Sequence, residues 1–438
     1  MNNKNQFSSH WGFILACVGS AVGMANVWGF PFRIGSLGGS AFLIPYLIFV
    51  ALFSYVGLSA EYAIGRHTST GTLGSYEYAW KQRGLHKVGK VIGWIPLAGS
   101  FCIAIGYSVI VAYVLKALAS SVTGTLMKVE TGPWFESFAL QKYSVIPYHV
   151  IIVLAVVISL FIGTKGIEKT NKIMMPLFFI LFCILAVRVA MLPGAIKGYE
   201  FTFRPDWQAL KNPEVWVFAM GQAFFSLSVT GSGMIVYGAY LSKDEDVVNS
   251  SINTAIFDTI SAIVASLVII PACFSYGVDV NSGPGLLFVT LPEILQDIPF
   301  GQVFAIVLFL AVVFGGVSSL QNMFEVVVES ISHRFPKLKR NWIICGLTVL
   351  LLSISINMEA IFTWGPWMDF VSIYIIPIGA GIGAFTWFYI MPKDEMLGEI
   401  NQGANKLRGD RWYITGKFIY VPITLLICGV ALIKGISF

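Results

Sequence analysis

Two stretches of the chain place glycines and small polar residues where an apolar helix would otherwise run unbroken. The first reads Leu15-Ala-Cys-Val-Gly19-Ser-Ala-Val-Gly23-Met-Ala-Asn26-Val-Trp-Gly29-Phe-Pro31. The second reads Gly221-Gln-Ala-Phe-Phe225-Ser226-Leu-Ser228-Val-Thr-Gly231-Ser232-Gly233. Glycine costs a helix interior about 1 kcal/mol relative to alanine, so several together permit local unwinding. In hydrocarbon, unwound backbone is tolerated only where it lines a cavity or is buried in protein. An opened helix offers half-helix N-termini to an anion and free carbonyls to cations, which is chemistry for holding a zwitterion beside Na⁺. The competing interpretation is close helix packing through small residues, as in the spacing of Gly19 and Gly23. It accounts for one glycine-rich helix more readily than for two in matched positions.

The elements that must position these groups follow from composition. The 438 residues are 56% hydrophobic and only 12% charged, with a mean hydropathy of +0.76. That is roughly half the charge of a soluble domain. Apolar runs of about 20 residues recur, each able to cross a hydrocarbon core of roughly 30 Å. They are continuous rather than alternating, which selects helices over a barrel. Eleven spans are expected, at roughly 11–31, 41–64, 91–122, 147–163, 170–192, 214–240, 253–276, 302–331, 341–357, 366–391 and 413–435. The segment 283–297 is too short to span and contains proline; it is expected as a helical hairpin on the outer face. The two glycine-rich spans are the first and the sixth. This spacing suits an all-α fold with an inverted five-helix repeat, 11–192 and 214–391, plus one further helix at 413–435, all in a single domain over 1–438.

Lysine and arginine cluster at 81–90, 165–172, 334–340 and 406–411. The positive-inside rule therefore puts the N-terminus in the cytoplasm and, with an odd number of spans, the C-terminus outside. The net charge of +5 is read as topology, with the lipid bilayer as partner and no nucleic acid. Six single cysteines in apolar runs are read as small buried hydrophobes rather than disulfides or metal ligands. No cleavable signal peptide is expected, because Phe13 to Val22 is followed by more membrane sequence.

Beyond these patterns, the residues resemble the neurotransmitter:sodium symporter family. The resemblance is carried by Gly19 to Pro31, then Gly38-Gly-Ser-Ala-Phe-Leu-Ile-Pro45-Tyr46, Gly106-Tyr107, Gln222 to Ser228, Phe314-Gly-Gly-Val-Ser318-Ser319 and Trp367-Met-Asp369-Phe, and so covers nearly the whole chain. The chain looks like the shorter, 11-span bacterial branch that includes aromatic amino-acid carriers, which implies the bacterial cytoplasmic membrane. It implies two Na⁺ ions. One would be held by the carbonyls of Gly19, Val22 and Gly315 with the hydroxyls of Ser318 and Ser319, hard neutral oxygens that suit an alkali cation. Adjacent serines in an apolar helix can instead bond back to their own carbonyls. The other ion would take the Ala21 carbonyl, Asn26, Ser226 and the substrate carboxylate, with Asp258 where the family usually has asparagine. Many relatives bind chloride nearby; Tyr46, Gln222 and Ser226 match three of those positions, and Ala262 stands at the fourth. Asp258, one helical turn away, is expected to supply the fixed negative charge, so chloride is not expected to be needed. The alternative is a protonated, structural Asp258.

The family's substrate pocket maps onto Ala21, Gly23, Met24, Ala25, Ile103, Tyr107, Phe225, Ser226, Ser228, Gly231, Ser319 and Met323. Tyr107 is the expected carboxylate contact and Phe225 the lid. Monoamine carriers place Asp at the position of Gly23, so glycine there favours amino acids. Gly231 stands where a leucine carrier has Phe, which would enlarge the pocket for a hydrophobic or aromatic amino acid, tyrosine or tryptophan first. For the gates, Asp369 matches the outer acid, and Arg33 is the candidate for the missing outer arginine. Lys4, Phe7 and Tyr240 match the inner gate, whereas His333 replaces its acid. Gly166 and Pro176 match an element linked to opening the inner sodium path, and Glu61 matches an acid that holds the unwound part of span 6.

The function expected is a sodium-coupled amino-acid symporter working by alternating access, with an amino-acid sensor of the same fold as the alternative. An intramembrane enzyme is a weaker reading: no metal cluster, Ser/His pair or nucleotide loop is evident. A channel would favour a repeated filter or charged ring, and none is visible. Oligomeric state is left open.

Overall fold

The computed structural model describes residues 7–204, 206–280 and 285–436. Among these the chain is entirely helical. Eight helices are long and apolar enough to cross a membrane: Ser40–Thr68, His86–Val122, Thr164–Ala190, Val247–Tyr276, Gly301–Arg334, Arg340–Met358, Ile361–Ile390 and Asp410–Lys434. They are spans 2, 3, 5, 7, 8, 9, 10 and 11. Span 4, Ile146–Ile162, is shorter, and begins with proline in its first turn. Span 1 is a bent pair, 1a (His10–Ala21) and 1b (Ala25–Ser36), with a 59° change of direction. Span 6 is likewise in two pieces, 6a (Pro213–Ser226) and 6b (Gly233–Ala239). The eleven expected positions are thus filled among the described residues, and the two glycine-rich spans are the interrupted ones.

The breaks have local causes. Ala21 is followed by Val22 in extended backbone, at φ −71° and ψ 111°, and Gly23 is a poor helix former. In span 6, Ser228 and Gly231 adopt positive φ, 53° and 77°, which ends one helix before the next can begin. A positive φ at serine is costly and persists only where surroundings enforce it. Here Glu61 Oε1 of span 2 accepts from Gly231 N at 2.7 Å, and Tyr76 Oη donates to Gly231 O at 3.1 Å.

Spans 5 and 7 each start six residues earlier than expected, at Thr164 and Val247; span 7 does so where Asp246 caps it, accepting from Asn249 N. The segment expected as a surface hairpin is, over Leu286–Asp297, one helical rod with a wide first turn. It buries Leu287, Phe288, Leu291 and Ile294, and Phe288 stacks on Phe135 at 5.1 Å. An amphipathic rod with that many apolar side chains packs into the protein rather than lying on it. Residues 283 and 284 of that segment are outside the described residues.

Close packing through glycine is also present, away from the breaks. A Cβ on Gly65 of span 2 would stand 1.9 Å from Ile235 O of helix 6b, and one on Gly238 of 6b would stand 2.3 Å from Tyr62 O. The two backbones touch, which fixes 6b as a rigid extension of span 2. Alanine at either position meets main chain, which cannot rotate away. Gly65→Ala or Gly238→Ala should therefore lower stability by about 1–3 kcal/mol, as overpacked cores do. Gly346→Ala and Gly429→Ala, whose added Cβ meets open space, should leave the thermal midpoint in detergent unchanged. Equal midpoints for all four variants would contradict this packing.

Candidate functional site

At the span 1 break the helical ladder is rerouted. Gly23 N–H turns to Asn26 Oδ1 at 3.3 Å, Met24 N–H to Tyr107 Oη at 2.9 Å, and Asn26 N–H to Gly23 O at 3.1 Å. The carbonyls of Gly19 and Val22 are released from their usual partners four residues on. They are met by span 8: Ser318 Oγ donates to Gly19 O at 2.7 Å, and Ser319 Oγ donates to Val22 O at 2.9 Å and Gly19 O at 3.2 Å. Ser318 Oγ also lies 2.9 Å from Gly315 O of its own helix. All five oxygens named from the sequence thus fall in one cluster. The back-bonding alternative is present in the same geometry, because a hydroxyl can donate to its own turn or present its lone pairs to a cation. These are neutral, hard, buried oxygens, the donor set that fits Na⁺.

A second cluster surrounds Asp258, which is 0% exposed. Asn26 Nδ2 donates to Asp258 Oδ1 at 2.7 Å, to Asp258 O at 3.1 Å and to Ser261 Oγ at 2.9 Å. Ser226 Oγ donates to Asp258 Oδ2 at 2.6 Å. Both carboxylate oxygens therefore have a hydrogen-bond partner, Asn26 at one and the Ser226 hydroxyl at the other. Among the described residues no cationic side chain forms an ion pair with it. A buried carboxylate without a counter-charge is costly, so the cluster fits a bound cation. Tyr46 faces Ser226, Thr259 and Asp258. Its hydroxyl, Gln222 Nε2 and Thr259 Oγ1 are buried without hydrogen-bond partners among the described residues.

Between the two broken helices lies a cavity of about 560 Å³. Ala21, Gly23, Met24, Ala25, Ile103, Tyr107, Phe225, Ser228, Ser319 and Met323 line it. Two residues expected in the pocket do not. Ser226 is turned to Asp258, and Gly231 is a backbone joint: a Cβ there would meet Gly379 O at 2.6 Å and Tyr76 Oη at 2.8 Å. The space expected from a missing ring at Gly231 is thus occupied by span 10 and Tyr76. Gly23, in contrast, is required by the wall itself, because its Cβ would stand 2.2 Å from Tyr107 Oη and 2.8 Å from Ser319 Oγ. The sequence reading missed Gln222, Ser20, Ser100, Thr230 and Asn322 as lining residues. Asn322 was findable, one turn beyond Ser319 on the same helix face.

Arg33 and Asp369 line the same cavity, at the end that also holds Trp28, Phe32 and Trp364. The Arg33 guanidinium sits 4.3 Å from the Phe218 ring centroid. At the opposite end Phe7 packs edge-on against Phe13, Tyr237 and Tyr240, with centroids 5.7, 5.7 and 6.1 Å away. Tyr240 Oη donates to Glu325 Oε1 at 2.5 Å, and Arg340 pairs with Glu325 Oε2 at 2.5 Å. This gives Glu325 a partner the sequence did not indicate. Lys4 lies outside the described residues. His333 stands beside Glu77 and Arg334 rather than in this network. Span 5 is continuous through Gly166 and Pro176, and Ser8 and Ser9 bond to its Glu168.

The contact at Gly23 is testable without any ligand assignment. Gly23→Ala should destabilise the fold by about 1–3 kcal/mol through the clash with Tyr107 Oη. Adding Tyr107→Phe, which removes that oxygen, should recover most of the loss. Thermal unfolding of the single and double variants reads the coupling; additive losses would refute the clash.

Comparison with known proteins follows this geometry. The family model described as the sodium:neurotransmitter symporter family matches residues 4–145 and 137–436. An uncharacterized sodium-dependent transporter of Bacillus subtilis, YhdH, is 32% identical over 99% of this chain and 98% of its own length. A sodium-dependent transporter of Methanocaldococcus jannaschii, MJ1319, is 29% identical over 96% of this chain and 89% of its own. The crystal structure of MhsT in complex with L-phenylalanine is similar at TM-score 0.87 and 33% identity, covering 98% of this chain and 99% of that one. The neighbours are transporters, which removes the intramembrane-enzyme reading. The chain belongs to the sodium:neurotransmitter symporter family and is a multi-pass, sodium-dependent membrane transporter.

Proposed function

We propose that this chain carries a hydrophobic or aromatic L-amino acid into the cell together with two Na⁺ ions, without chloride, by alternating access. The observation that carries the reading is the junction of three features beside one cavity: the released carbonyls of Gly19 and Val22, the hydroxyls of Ser318 and Ser319 on them, and Tyr107 Oη on Met24 N. The likeness to MhsT, held in crystal form with L-phenylalanine, supports an amino acid as cargo.

In this reading the five-oxygen cluster takes one ion. Asn26, Asp258 and the Ala21 carbonyl take the other, next to the substrate carboxylate, while Tyr107 orients that carboxylate. Gly23 keeps the floor beneath the carboxylate clear. Phe225 closes over the substrate, and Arg33 and Asp369 stand at the outer mouth. Phe7, Tyr240, Glu325 and Arg340 close the cytoplasmic end. The repeats 11–192 and 214–391, with the helix at 413–435 as an addition, supply the two broken helices in opposed orientation. The N-terminus lies in the cytoplasm of a bacterial cell and the C-terminus outside. Each charge moved through 100 mV contributes about 2.3 kcal/mol, so two ions can concentrate a neutral zwitterion.

Counterflow in proteoliposomes should exchange labelled substrate in Na⁺ and not in K⁺; saturable binding with no exchange would favour a sensor of the same fold. Ser319→Ala should raise the Na⁺ needed for half-maximal binding about tenfold, the worth of roughly 1.4 kcal/mol. Replacing all chloride by gluconate should leave uptake unchanged, because Asp258 supplies the anion. A collapse of uptake in gluconate would refute chloride independence while leaving the sodium reading intact.

A further inference from the structure

Span 5 passes behind the five-oxygen cluster of spans 1 and 8, and none of its residues lines the cavity. Two of its side chains reach the cluster. Phe178 stands at Gly315, where an added Cβ would be 3.4 Å from its ring. Asn171, two turns earlier on the same face, stands at Gly19. A Cβ on Gly19 would be 2.0 Å from Asn171 Oδ1, 3.0 Å from Asn171 Cγ and 3.0 Å from Ser318 Cβ. The amide oxygen and a cluster serine thus meet at the side chain that Gly19 lacks.

The orientation of that amide is fixed by its partners. Asn171 Nδ2 donates to Ile167 O at 2.9 Å and to Gln321 Oε1 at 3.2 Å. A main-chain carbonyl can only accept, so the nitrogen faces Ile167 and the oxygen faces Gly19. Gln321, one turn beyond Ser318 on span 8, is held in turn by Ser159 and Thr170 at 2.8 and 3.1 Å. Asn171 is 0% exposed, and its Oδ1 has no hydrogen-bond partner among the described residues. A buried acceptor left unpaired is destabilising and calls for an explanation. Plain packing of span 5 on helix 1a looks different. Glu168 comes as close to Gly12, at 2.0 Å, but its carboxylate is met by Ser8, Ser9 and Lys172.

We infer that Asn171 is a positioning residue for the sodium site of spans 1 and 8: its Oδ1 seats the Gly19 main chain, whose carbonyl belongs to that site, and turns an unpaired amide dipole toward the cation without coordinating it. The inference rests on reading the five-oxygen cluster as a Na⁺ site. An oxygen that accepts no hydrogen bond keeps its full negative potential, and in a low-dielectric interior that potential acts over several ångströms. Groups behind the direct ligands orient them, and their loss commonly weakens metal binding by about 10- to 100-fold.

The test measures equilibrium binding of radiolabelled Na⁺ to the full chain in detergent, without amino acid and with K⁺ holding the ionic strength. A merely structural role lowers the amount of protein that binds and leaves the Na⁺ concentration at half-saturation where it was. Asn171→Leu, similar in volume but without the dipole, should raise that concentration about tenfold. Asn171→Ala, which only removes atoms, should act alike and carries the test if the leucine variant does not fold. Gly19→Ala, whose methyl displaces the amide, should also raise it about tenfold, yet add less than about twofold to Asn171→Ala, because the two changes act on one contact. Half-saturation unmoved in the Asn171 variants overturns the inference, as does full additivity of the two alanine substitutions. Absence of saturable Na⁺ binding, or binding unmoved by Ser319→Ala, would instead defeat the sodium-site reading and the inference with it.

Discussion

The constraint on which this structure depends is the need to satisfy main-chain polar groups that two helices give up inside a hydrocarbon slab. At the span 1 break the donors find Asn26 Oδ1 and Tyr107 Oη, and the acceptors find Ser318 and Ser319. At the span 6 break Gly231 uses Glu61 as acceptor and Tyr76 as donor. Apart from Asn26, these partners come from other helices: spans 2, 3 and 8 and the short helix Thr72–Lys81. A break is therefore tolerated only in a bundle whose neighbouring helices carry the right polar group at the right depth, and the polar residues of spans 2, 3 and 8 are the counterparts of the glycines in spans 1 and 6.

The two oxygen clusters around the break in span 1 differ in charge, and the difference is physical. The cluster with Ser318 and Ser319 is made of carbonyls and hydroxyls alone. The cluster with Asn26 contains a carboxylate, buried and hydrogen-bonded at both oxygens. A neutral cage takes a cation at little electrostatic cost when it leaves again, whereas an anionic one holds its cation more firmly. In the proposed cycle, Asp258 would bind the ion that meets the substrate carboxylate, where two negative groups approach one another and need a cation between them.

Much of this was legible in the sequence because the signals are strong physical ones. Apolar length located the spans, and glycine clustering located both breaks. Gly19, Val22, Gly315, Ser318 and Ser319 converge as the resemblance implied. What was not legible depended on direction rather than type. Gly231 and Gly23 look alike in a sequence, but one is a joint pressed against Gly379 and the other is the floor under Tyr107. Ser226 lies among pocket residues in the chain, yet its hydroxyl points to Asp258. Glu325 meets Arg340, fifteen residues on and past a turn. Contacts that close over a turn leave no periodic trace in the chain.

The buried hydrogen bonds divide the helices into two groups. Spans 1, 2, 6 and 7 are joined by Asn26 and Ser226 on Asp258, by Glu61 on Gly231, by Tyr62 beside Thr254 and by the glycine contact of span 2 with 6b. Spans 3, 4, 9 and 10 are joined through His149, which reaches Glu359, Ser108 and Ser355, and through Trp364 and Trp367 on carbonyls of span 3. Gln321 ties span 8 to spans 4 and 5. The bonds that cross between the groups include Ser318 and Ser319 to span 1, Tyr107 to Met24, Asn322 to Ser20 and Ser100 to Ser232. Those crossing residues are on or beside the cavity wall. Rigid groups hinged at the site move only by changing those contacts, and anything that occupies the cavity changes them first. In the proposed cycle, hydrogen bonds that cross between the groups at the binding site would make occupancy and motion the same event.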